Sequence, residues 1–474
     1  MAASDRRAGR ARTLLAAAAL AAAWLARPAP ASDLPLVGRY TRARAHPGWS
    51  AEQAELAAHL EALGYAQGVA PARATTGVVL HDATRAQPGR NLVVDGHAAA
   101  AELVDMDGRV LHRWSRPIED VFPEDAARTP EHSTHWRRAR VLANGDLFAI
   151  YEGIGVVALD RDSNVRWRRR NGAHHDLRVA PDGSVLVLTR EARIVLDVDP
   201  DRPVLDESVE RLDARGELVA QTSIFESFAR SSWADVLAYR ERGDILHTNA
   251  LVPLDGALER ANPAFAAGRW LLSLRNASAL AVLDPSQERV VWLAKGDWTG
   301  QHDPSALPDG RLLLFDNGST GVRHETDGRS RILAVDPATA DAEVVYEGGD
   351  AAPFFSATCG AVARLANGDT LVTETDAGRA FELAPDGAIV WEYYTPHRAG
   401  EDGEYIATLF EVQRLPEGFG DAWLARAREP VPGVRPPPVP GRPAWKRFVA
   451  PGLGALAAAL LVPALFFLLG RARR

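Results

Sequence analysis

The stretch Asp309-Gly310-Arg311-Leu312-Leu313-Leu314-Phe315 carries the pattern that decides the fold. An Asp-Gly pair supplies the positive φ angles that a two-residue hairpin turn requires, and the apolar run after it favours a short β-strand. The same combination recurs along the chain at Asn144-Gly145, Asp182-Gly183, Arg242-Gly243 and Asn367-Gly368. The recurrence predicts a series of similar antiparallel sheets.

A second signature closes each unit of the repeat. It consists of an apolar strand, a turn that usually begins with aspartate, and a strand that ends in an aromatic residue, as in Ala158-Leu159-Asp160 to Trp167. Six such closings begin at Leu103, Ala158, Leu212, Val282, Ala334 and Phe381, and the third lacks the aromatic residue. Units of about 50 residues with four short strands each are typical of β-propellers.

We therefore predict an all-β fold, a six-bladed β-propeller over residues 76–425. A seven- or eight-bladed ring would follow if Ala192 to Arg240 contained an extra blade. A β-sandwich or a solenoid fits less well, because the repeat is long and its turns fall in pairs.

The two ends of the chain predict export and membrane attachment. Four arginines lie within the first 12 residues, an apolar run extends from Leu14 to Ala26, and Ala29-Pro30-Ala31 offers a cleavage site. This order is typical of a secretory signal peptide, 1–31, although an uncleaved N-terminal anchor would look similar. Residues 448–469 contain no charge and are long enough to cross a bilayer as a helix.

The segments between these ends and the propeller complete the predicted domain order. Ser50 and Gln53 form a capping-box pattern that opens a short helix within residues 32–75. Residues 426–447 are a Pro-rich linker, and residues 470–474 a short cytoplasmic tail. The predicted location is therefore periplasmic or otherwise extracytoplasmic, with the propeller anchored in the cytoplasmic membrane by the C-terminal helix.

The net charge of −8, from 54 basic and 62 acidic residues, offers no basic surface for nucleic acid. No Gly-x-x-x-x-Gly-Lys-Ser/Thr loop or Gly-x-Gly-x-x-Gly fingerprint follows a strand, so we expect no nucleotide and no other cofactor. The single cysteine, Cys359, excludes an intramolecular disulfide.

Histidines recur where the innermost strand of a blade should begin, about eight residues before the first turn glycine. His174 and His175 precede Gly183, and His302 precedes Gly310. His247 occupies a similar place before Gly256, an alignment complicated by the turn at Arg242-Gly243. Any one of these histidines could be structural, but as a matched set they predict a site on the propeller axis. Neighbours on a strand point to opposite faces, so we expect only one of His174 and His175 to line the channel.

The segments around these histidines resemble the bacterial arylsulfate sulfotransferases, over about residues 95–395. The motifs that carry the resemblance are Gly172-Ala173-His174-His175-Asp176, Asp244-Ile245-Leu246-His247-Thr248-Asn249, Leu272-Ser273-Leu274-Arg275-Asn276, Gln301-His302-Asp303 and Phe315-Asp316-Asn317-Gly318. The resemblance implies a six-bladed propeller that transfers a sulfuryl group from a phenolic sulfate ester to a phenol through a sulfated histidine, without a nucleotide.

Carried over by position, the resemblance implies a role for each candidate residue. His302 would take the sulfuryl group, and Arg275 would hold the sulfate oxygens. His247 and Asn249 would lie beside the donor, one of His174 and His175 would complete the pocket, and Thr358 would contribute a hydroxyl. The best-known relatives carry a disulfide near the active site and lack a C-terminal span, and this chain departs from both features.

Two other classes of function fit the same residues. Convergent histidines could bind a transition metal in the channel, although Arg275 would oppose a cation and no carboxylate occupies an obvious ligand position. A non-catalytic envelope propeller could bind a protein or a ligand at its channel face, although such binding would not need this set of residues.

The ends of the chain give the first prediction. Cleavage of the signal peptide should leave a mature N-terminus close after Ala31, which mass spectrometry of the purified protein measures. Protease added to spheroplasts should digest the propeller, because we expect it to lie outside the cytoplasm. Full protection of the propeller in spheroplasts would show that the predicted orientation is wrong.

Overall fold

The structure is a computed structural model that describes residues 50, 52–54, 56–57, 66–126, 134–238, 243–319, 328–350 and 352–424. The chain divides into two compact units, Met1–Arg426 and Ala427–Arg474, and every described residue belongs to the first. The predicted signal peptide (1–31), linker (426–447), membrane span (448–469) and tail (470–474) lie outside the described residues. Within the described part, no helix is both long and apolar enough to span a membrane.

Six sheets, each built around four antiparallel strands, make up the described part of the first unit, as the sequence predicts. Blade 1 combines strands from both ends of the propeller: β27 (Leu409–Leu415), β2 (Arg90–Asp95), β3 (Ala100–Val104) and β4 (Val110–Ser115). Blade 2 contains β5 (Trp136–Val141), β6 (Leu147–Tyr151), β7 (Gly155–Leu159) and β8 (Val165–Arg170). Blade 3 contains β9 (Ala173–Val179), β10 (Val185–Val195), β11 (Asp199–Leu212) and β12 (Leu218–Ser223).

The second half of the ring repeats this order. Blade 4 contains β13 (Thr248–Pro253), β14 (Trp270–Leu274), β15 (Ala279–Asp284) and β16 (Arg289–Ala294). Blade 5 contains β17 (His302–Ala306), β18 (Leu312–Asp316), β19 (Arg331–Val335) and β20 (Ala342–Glu347). Blade 6 contains β21 (Ala361–Arg364), β22 (Thr370–Glu374), β23 (Arg379–Leu383) and β24 (Ile389–Tyr394), with β1 (Gly77–His81) added outside β24. A small hairpin of β25 (Arg398–Ala399) and β26 (Tyr405–Ile406) follows blade 6.

The helices of the described residues are short and lie between strands. They are α1 (Ile118–Val121), α2 (Pro123–Ala126), α3 (Ile224–Ala229), α4 (Asp421–Leu424) and two 3₁₀ turns at Ala234–Ala238 and Pro263–Phe265. The Ser223 hydroxyl caps α3 by accepting a hydrogen bond from the Glu226 N–H at 3.1 Å. At the N-terminal side, Ser50 and Gln53 exchange the two hydrogen bonds of a capping box.

The first strands of the blades form the inner ring. Strands β27, β5, β9, β13, β17 and β21 each contact the next one around the axis. The strand that enters each first hairpin turn is therefore innermost, as predicted from the sequence. Blade 1 differs from the other blades in the place of its inner strand in the sequence. This strand, β27, comes from the C-terminal end of the propeller, and the turn pattern did not predict that it closes the ring.

The region from Ala192 to Arg240 is not a seventh blade. Here β10 and β11 continue as a long hairpin that extends beyond the sheet, with pairs from Ala192–Leu205 to Val195–Asp199. After β12 completes blade 3, the chain forms α3 and the first 3₁₀ turn. Gly243 does not lie in a blade hairpin either, so the prediction of a first turn at Arg242-Gly243 is wrong. Blade 4 instead turns between Pro253 and Trp270, which agrees with the alignment of His247 to Gly256.

The aspartate and the aromatic residue of the closing signature have separate structural roles. Asp160 folds its turn by accepting hydrogen bonds from the N–H groups of Asp162 and Asn164, at 2.9 and 2.8 Å. The tryptophans join neighbouring blades. The indole N–H of Trp114 in blade 1 donates to the Gly145 carbonyl in blade 2 at 3.0 Å, and that of Trp391 in blade 6 donates to the Met106 carbonyl in blade 1 at 2.9 Å.

A buried ion pair holds the seam where the last blade meets the first. Arg414 on β27 donates to the Glu382 carboxylate on β23 at 2.8 Å and to the Asn91 side chain on β2 at 2.7 Å. The side chains of Arg414 and Glu382 are both 0 % exposed. Burial opposes both charges, so each depends on the other for compensation.

Replacing Arg414 should therefore weaken closure of the ring. Arg414→Met leaves Glu382 buried without its cation, and we expect the free energy of unfolding, measured by urea titration, to fall by about 3–5 kcal/mol. Arg85→Met is the control, because Arg85 pairs with Asp386 on the surface of the same blade, where the side chains are 40 % and 64 % exposed. That variant should change stability by less than about 1 kcal/mol. Equal effects of the two substitutions would contradict a special role for the seam.

Candidate active site

The candidate site lies where the inner strands of blades 3 to 6 begin. Four residues there adopt left-handed backbone conformations: His175 (φ 55°), His247 (φ 49°), Asp303 (φ 48°) and Cys359 (φ 60°). The strand pairing also shifts register beside these positions in blades 3, 4 and 5. Such conformations are costly for residues other than glycine, and they cluster at functional sites. The backbone conformation at these strand starts therefore sets the direction of particular side chains.

Three of the predicted histidines form a continuous chain of contacts. Nδ1 of His174 lies 2.7 Å from Nδ1 of His175, and Nε2 of His175 lies 3.0 Å from Nε2 of His247. Nδ1 of His247 then contacts the Asp244 carboxylate at 2.5 Å. The rings of His174 and His175 do not lie on opposite faces of the strand, as strict alternation would place them, because their Nδ1 atoms are in contact. The left-handed conformation of His175 breaks the alternation of the strand, so both rings join the cluster.

The chain of histidines is buried among charged groups. Burial and the charges of Arg190 and His247 hold the pKa of His174 well below its usual range. Burial and the charges of His247 and His174 do the same to the pKa of His175. His247 is only half-buried, and with Arg275 it forms the more open side of the site.

His302 is the first residue of β17 and is 2 % exposed. Burial, and next the positive charge of Arg275, hold the pKa of His302 well below its usual range, and Arg137 and His247 add to the shift. The imidazole is therefore neutral at neutral pH. Its Nδ1 lies 2.7 Å from the side-chain oxygen of Asn317.

Arg275 and Asn249 approach His302 from blade 4. The N–H of Arg275 donates to the His247 carbonyl at 3.2 Å, and its guanidinium donates to the Asn276 side chain at 3.0 Å. Asn249 donates its amide hydrogen to the carbonyl of Gln301, the residue before His302, at 2.8 Å. The structure thus brings together His174, His175, His247, Asn249, Arg275 and His302.

Thr358 lies at the edge of this group, in the turn that precedes β21. Its carbonyl accepts a hydrogen bond from the Ser356 hydroxyl at 2.8 Å, and its side chain is half-buried. The carbonyls on either side of it, those of Ser356 and Cys359, accept hydrogen bonds from the Asn317 side chain at 2.8 and 2.5 Å. Hydrogen bonds of the described residues thus connect Thr358 to His302 through Ser356 and the Asn317 side chain.

Several charged residues of the site were not among the predicted ones. Arg137 is buried, with its guanidinium 3.5 Å from the Cys359 sulfur and over the Phe410 ring. Glu152 accepts a hydrogen bond from the His175 N–H at 2.9 Å. Glu207 accepts from the Thr248 N–H at 3.0 Å, and burial together with the charge of Asp244 raises the pKa of Glu207 to about 8. Asp244 lies three residues before His247, a spacing that could have indicated a His–Asp pair.

Ion pairs from several blades fill the channel next to the histidines. The Arg138 guanidinium is 3 % exposed and lies 3.0 Å from the Glu411 carboxylate and 3.5 Å from that of Asp176. Arg178 pairs with Asp176 at 2.9 Å. A cavity of about 260 Å³ adjoins these ion pairs and is lined by Arg140, Arg178 and Asp303 among others. Asp176 directly follows His175, and Asp303 directly follows His302. These ion pairs therefore lie next to the site along the inner strands.

Two groups of side chains in the described residues have ligand atoms close enough for a metal ion. Glu152, His174 and His175 form one, and Asp95, His97 and His397 form the other. In the first group, Arg190 lies 3.5 Å from the Glu152 carboxylate, so a cation is already present beside the ligand atoms. In the second, Asp95 contacts Nδ1 of both histidines, and the Arg113 guanidinium lies 3.2 Å from Nε2 of His97. In each group an arginine therefore lies beside the ligand atoms, where its positive charge would oppose a bound cation.

Comparisons with known proteins give one family. The family model described as Arylsulfotransferase (ASST) matches residues 138–396, more than half of the chain. A search of curated proteins finds no match. Solved structures similar in fold include a protein of unknown function from Bacteroides caccae (13 % identity, TM-score 0.45, 70 % of this chain and 100 % of the other). They also include a streptogramin B lyase (10 % identity, TM-score 0.38, 72 % and 93 %).

The lowered pKa of His302 gives a prediction for stability. In the unfolded state His302 gains a proton as the pH falls through about 6.5, whereas the folded state excludes it. Below that pH the unfolded state holds more protons, so acidification destabilises the fold by about 1.4 kcal/mol per pH unit for this group. As the pH falls from 6 to 5, the free energy of unfolding of His302→Gln should therefore decrease less than that of the wild type. The difference should be about 1.4 kcal/mol.

His397→Gln provides a control of opposite sign. Although burial opposes it, the hydrogen bond to Asp95 raises the pKa of His397, so its contribution to stability is present at low pH and is lost as the pH rises. Below about pH 6.5 this contribution is already nearly complete, so replacement of His397 should leave the fall between pH 6 and 5 almost unchanged and should instead change the stability as the pH rises above about 6.5. Parallel pH profiles for the wild type and His302→Gln would contradict a neutral buried His302.

Proposed function

Because the chain belongs to the arylsulfotransferase family, we propose that it transfers a sulfuryl group from a phenolic sulfate ester to a phenolic acceptor through a sulfated His302. No nucleotide and no metal takes part in this scheme. The observation that carries the proposal is a neutral imidazole at His302, 2 % exposed, whose pKa is lowered first by burial and then by the neighbouring Arg275 and Arg137. A neutral imidazole is a nucleophile, and the two cations favour an anionic sulfate ester beside it.

In the first half-reaction, a lone pair of the His302 ring attacks the sulfur of the donor. The nitrogen–sulfur bond forms, and the bond between sulfur and the phenolic oxygen breaks with its electrons leaving on that oxygen. Arg275 offers directed N–H donors to the sulfuryl oxygens, whose negative charge must be held during transfer. Asn249 tethers the segment before His302 and has a second amide hydrogen for the same oxygens.

The departing phenolate needs a proton, and the neighbouring histidines can provide it. His247 lies at the open side of the site, between the Asp244 carboxylate and His175. The charge of His247 lowers the pKa of Asp244 to about 2 in spite of burial, so this carboxylate is ionised and accepts a hydrogen bond from Nδ1 of His247. His175 and His174 continue the chain of nitrogen contacts behind His247. General acid catalysis of this kind typically contributes about 10²–10⁴-fold.

In the second half-reaction, the acceptor phenol replaces the donor phenol. Its oxygen attacks the sulfur, its proton returns to the histidine that was deprotonated, and the nitrogen–sulfur bond breaks to restore neutral His302. The two half-reactions use the same groups in opposite directions. The scheme therefore requires ping-pong kinetics, with no ternary complex of donor and acceptor.

We further propose that the reaction takes place outside the cytoplasm, on a propeller tethered by the C-terminal segment. The support is the signal-like N-terminus and the uncharged run at residues 448–469.

A metal-dependent function is the second candidate, because Glu152, His174 and His175 offer three ligand atoms within 4.8 Å of one another.

The test is to incubate the purified full-length protein with 4-nitrophenyl sulfate, with and without phenol, and to follow release of nitrophenol. His302→Ala should abolish transfer. Arg275→Ala should lower the rate about 10²–10³-fold, as the loss of one oxyanion donor does in other enzymes. With donor alone, the wild type should gain the mass of one SO₃ group on the peptide that contains His302.

Substitutions of the same residue types elsewhere provide the controls. His81→Ala on the outer strand β1 and Arg311→Ala, which pairs with Asp309 and Glu343 on the surface, should leave the rate unchanged. Transfer that persists in His302→Ala would refute the assignment of the nucleophile. Activity that is lost with a chelator and restored by a divalent metal would favour the metal site of Glu152, His174 and His175.

A further inference from the structure

The Asn317 side chain has a fixed orientation because of the groups that surround it. Asn317 follows β18 and is 0 % exposed. One end of its amide faces the backbone carbonyls of Ser356 and Cys359, at 2.8 and 2.5 Å. The other end faces Nδ1 of His302 at 2.7 Å.

Hydrogen-bond chemistry then decides which proton lies where. Carbonyl oxygens accept only, so the end of the amide that faces Ser356 and Cys359 must be the NH₂ group, and both of its hydrogens are used. The end that faces His302 must therefore be the amide oxygen, which also only accepts. Nδ1 of His302 consequently carries a hydrogen. Since the ring is neutral, its lone pair is on Nε2.

We infer that Asn317 is the positioning residue that fixes the tautomer of His302 and makes Nε2 the attacking atom. The inference rests on the proposed sulfuryl transfer. No hydrogen bond within the described residues occupies Nε2, so that atom is open to a donor. When Nε2 forms its bond to sulfur, the ring becomes positively charged while Nδ1 keeps its hydrogen. The acceptor's attack returns the bonding electrons to Nε2, so no proton has to leave Nδ1 during the cycle.

A neutral amide suits this role better than a carboxylate. An ionised carboxylate at Nδ1 would favour the protonated ring, and a protonated His302 has no lone pair with which to attack. His247 has the opposite type of partner, the ionised Asp244. The two histidines therefore differ in the group that receives Nδ1–H: an amide where a nucleophile is needed, and a carboxylate where a proton donor is needed.

The test separates the tautomer from the catalytic activity. Nitrogen-15 NMR of the full-length protein with labelled histidines reports which ring nitrogen carries the hydrogen, and His302→Gln identifies the His302 signals. The wild type should show the Nδ1–H form at His302, and Asn317→Ala should show a mixture of both neutral forms. This readout does not require sulfotransferase activity. If the wild type shows the Nδ1–H form but transfers no sulfuryl group, the positioning role stands and the proposed function fails.

Kinetics give the second readout. Asn317→Ala should slow formation of the sulfated enzyme by at least about 10-fold, the usual cost of a lost supporting hydrogen bond at a functional site. Asn317→Asp keeps an acceptor at Nδ1 but replaces the NH₂ group that faces the Ser356 and Cys359 carbonyls, so the new carboxyl adds charge only where it is ionised. In that pH range the pKa of His302 should rise, and the acid limb of kcat/KM should move up by about 1–3 pH units. If Asn317 had only a structural role, the substitution would not change the pH at which kcat/KM falls on the acid side.

Ser330→Ala is the matched control for the loop that Asn317 holds. The Ser330 hydroxyl donates to the Asn317 carbonyl at 3.1 Å and accepts from the Ser356 N–H at 3.0 Å, without touching His302. Its loss should leave the His302 tautomer and the acid limb as in the wild type. An Nε2–H tautomer in the wild type, or the same His302 tautomer in Asn317→Ala and the wild type, would overturn the inference.

Discussion

The site depends on closure of the ring by a strand from the far end of the propeller. β27 supplies the inner strand of blade 1 and pairs with β2, so the propeller becomes a ring only when residues separated by more than 300 positions come together. Closure of loops of this length costs entropy, and the compensation comes from contacts at the seam. Arg414 and Glu382, the pairing of β27 with β2, and the bond from Trp391 to Met106 all lie there.

Closure matters for function because the candidate site is assembled from neighbouring blades. Blade 3 supplies His174 and His175, blade 4 supplies His247 and Arg275, and blade 5 supplies His302. Each of these residues lies at or near the start of an inner strand or in a neighbouring turn, and only a closed ring brings these positions around one axis. A local distortion, the left-handed residue at four of the strand starts, then turns the side chains toward each other.

The chemistry of the site follows from charges placed in a buried setting. Arg137, Arg190 and Arg275 lie near histidines that burial already keeps neutral, so the site combines cations with uncharged nucleophilic rings. Such a combination suits a substrate that is an anion and an electrophile at the same time, as a sulfate ester is. The ion pairs of Arg138 and Arg178 with Asp176 fill the adjacent part of the channel. They balance charge along the inner strands next to the site, where isolated charges would be costly.

The sequence by itself determined the features that are coded locally. Turn pairs such as Asp309-Gly310 and aspartate-led turns such as that of Asp160 specify hairpins through their own backbone preferences, so blade number and inner strands could be predicted. The matched histidines followed from the same spacing, and the resemblance of the surrounding motifs indicated the family. The failures share a physical reason, because each depends on residues distant in sequence. The closing strand β27 is decided by which blades meet, and the contact between Asn317 and His302 by the pairing of β17 with β18 inside blade 5. Only the tertiary structure decided the electrostatic setting of His302, because Arg137, Arg275 and Asn317 reach it from three different blades.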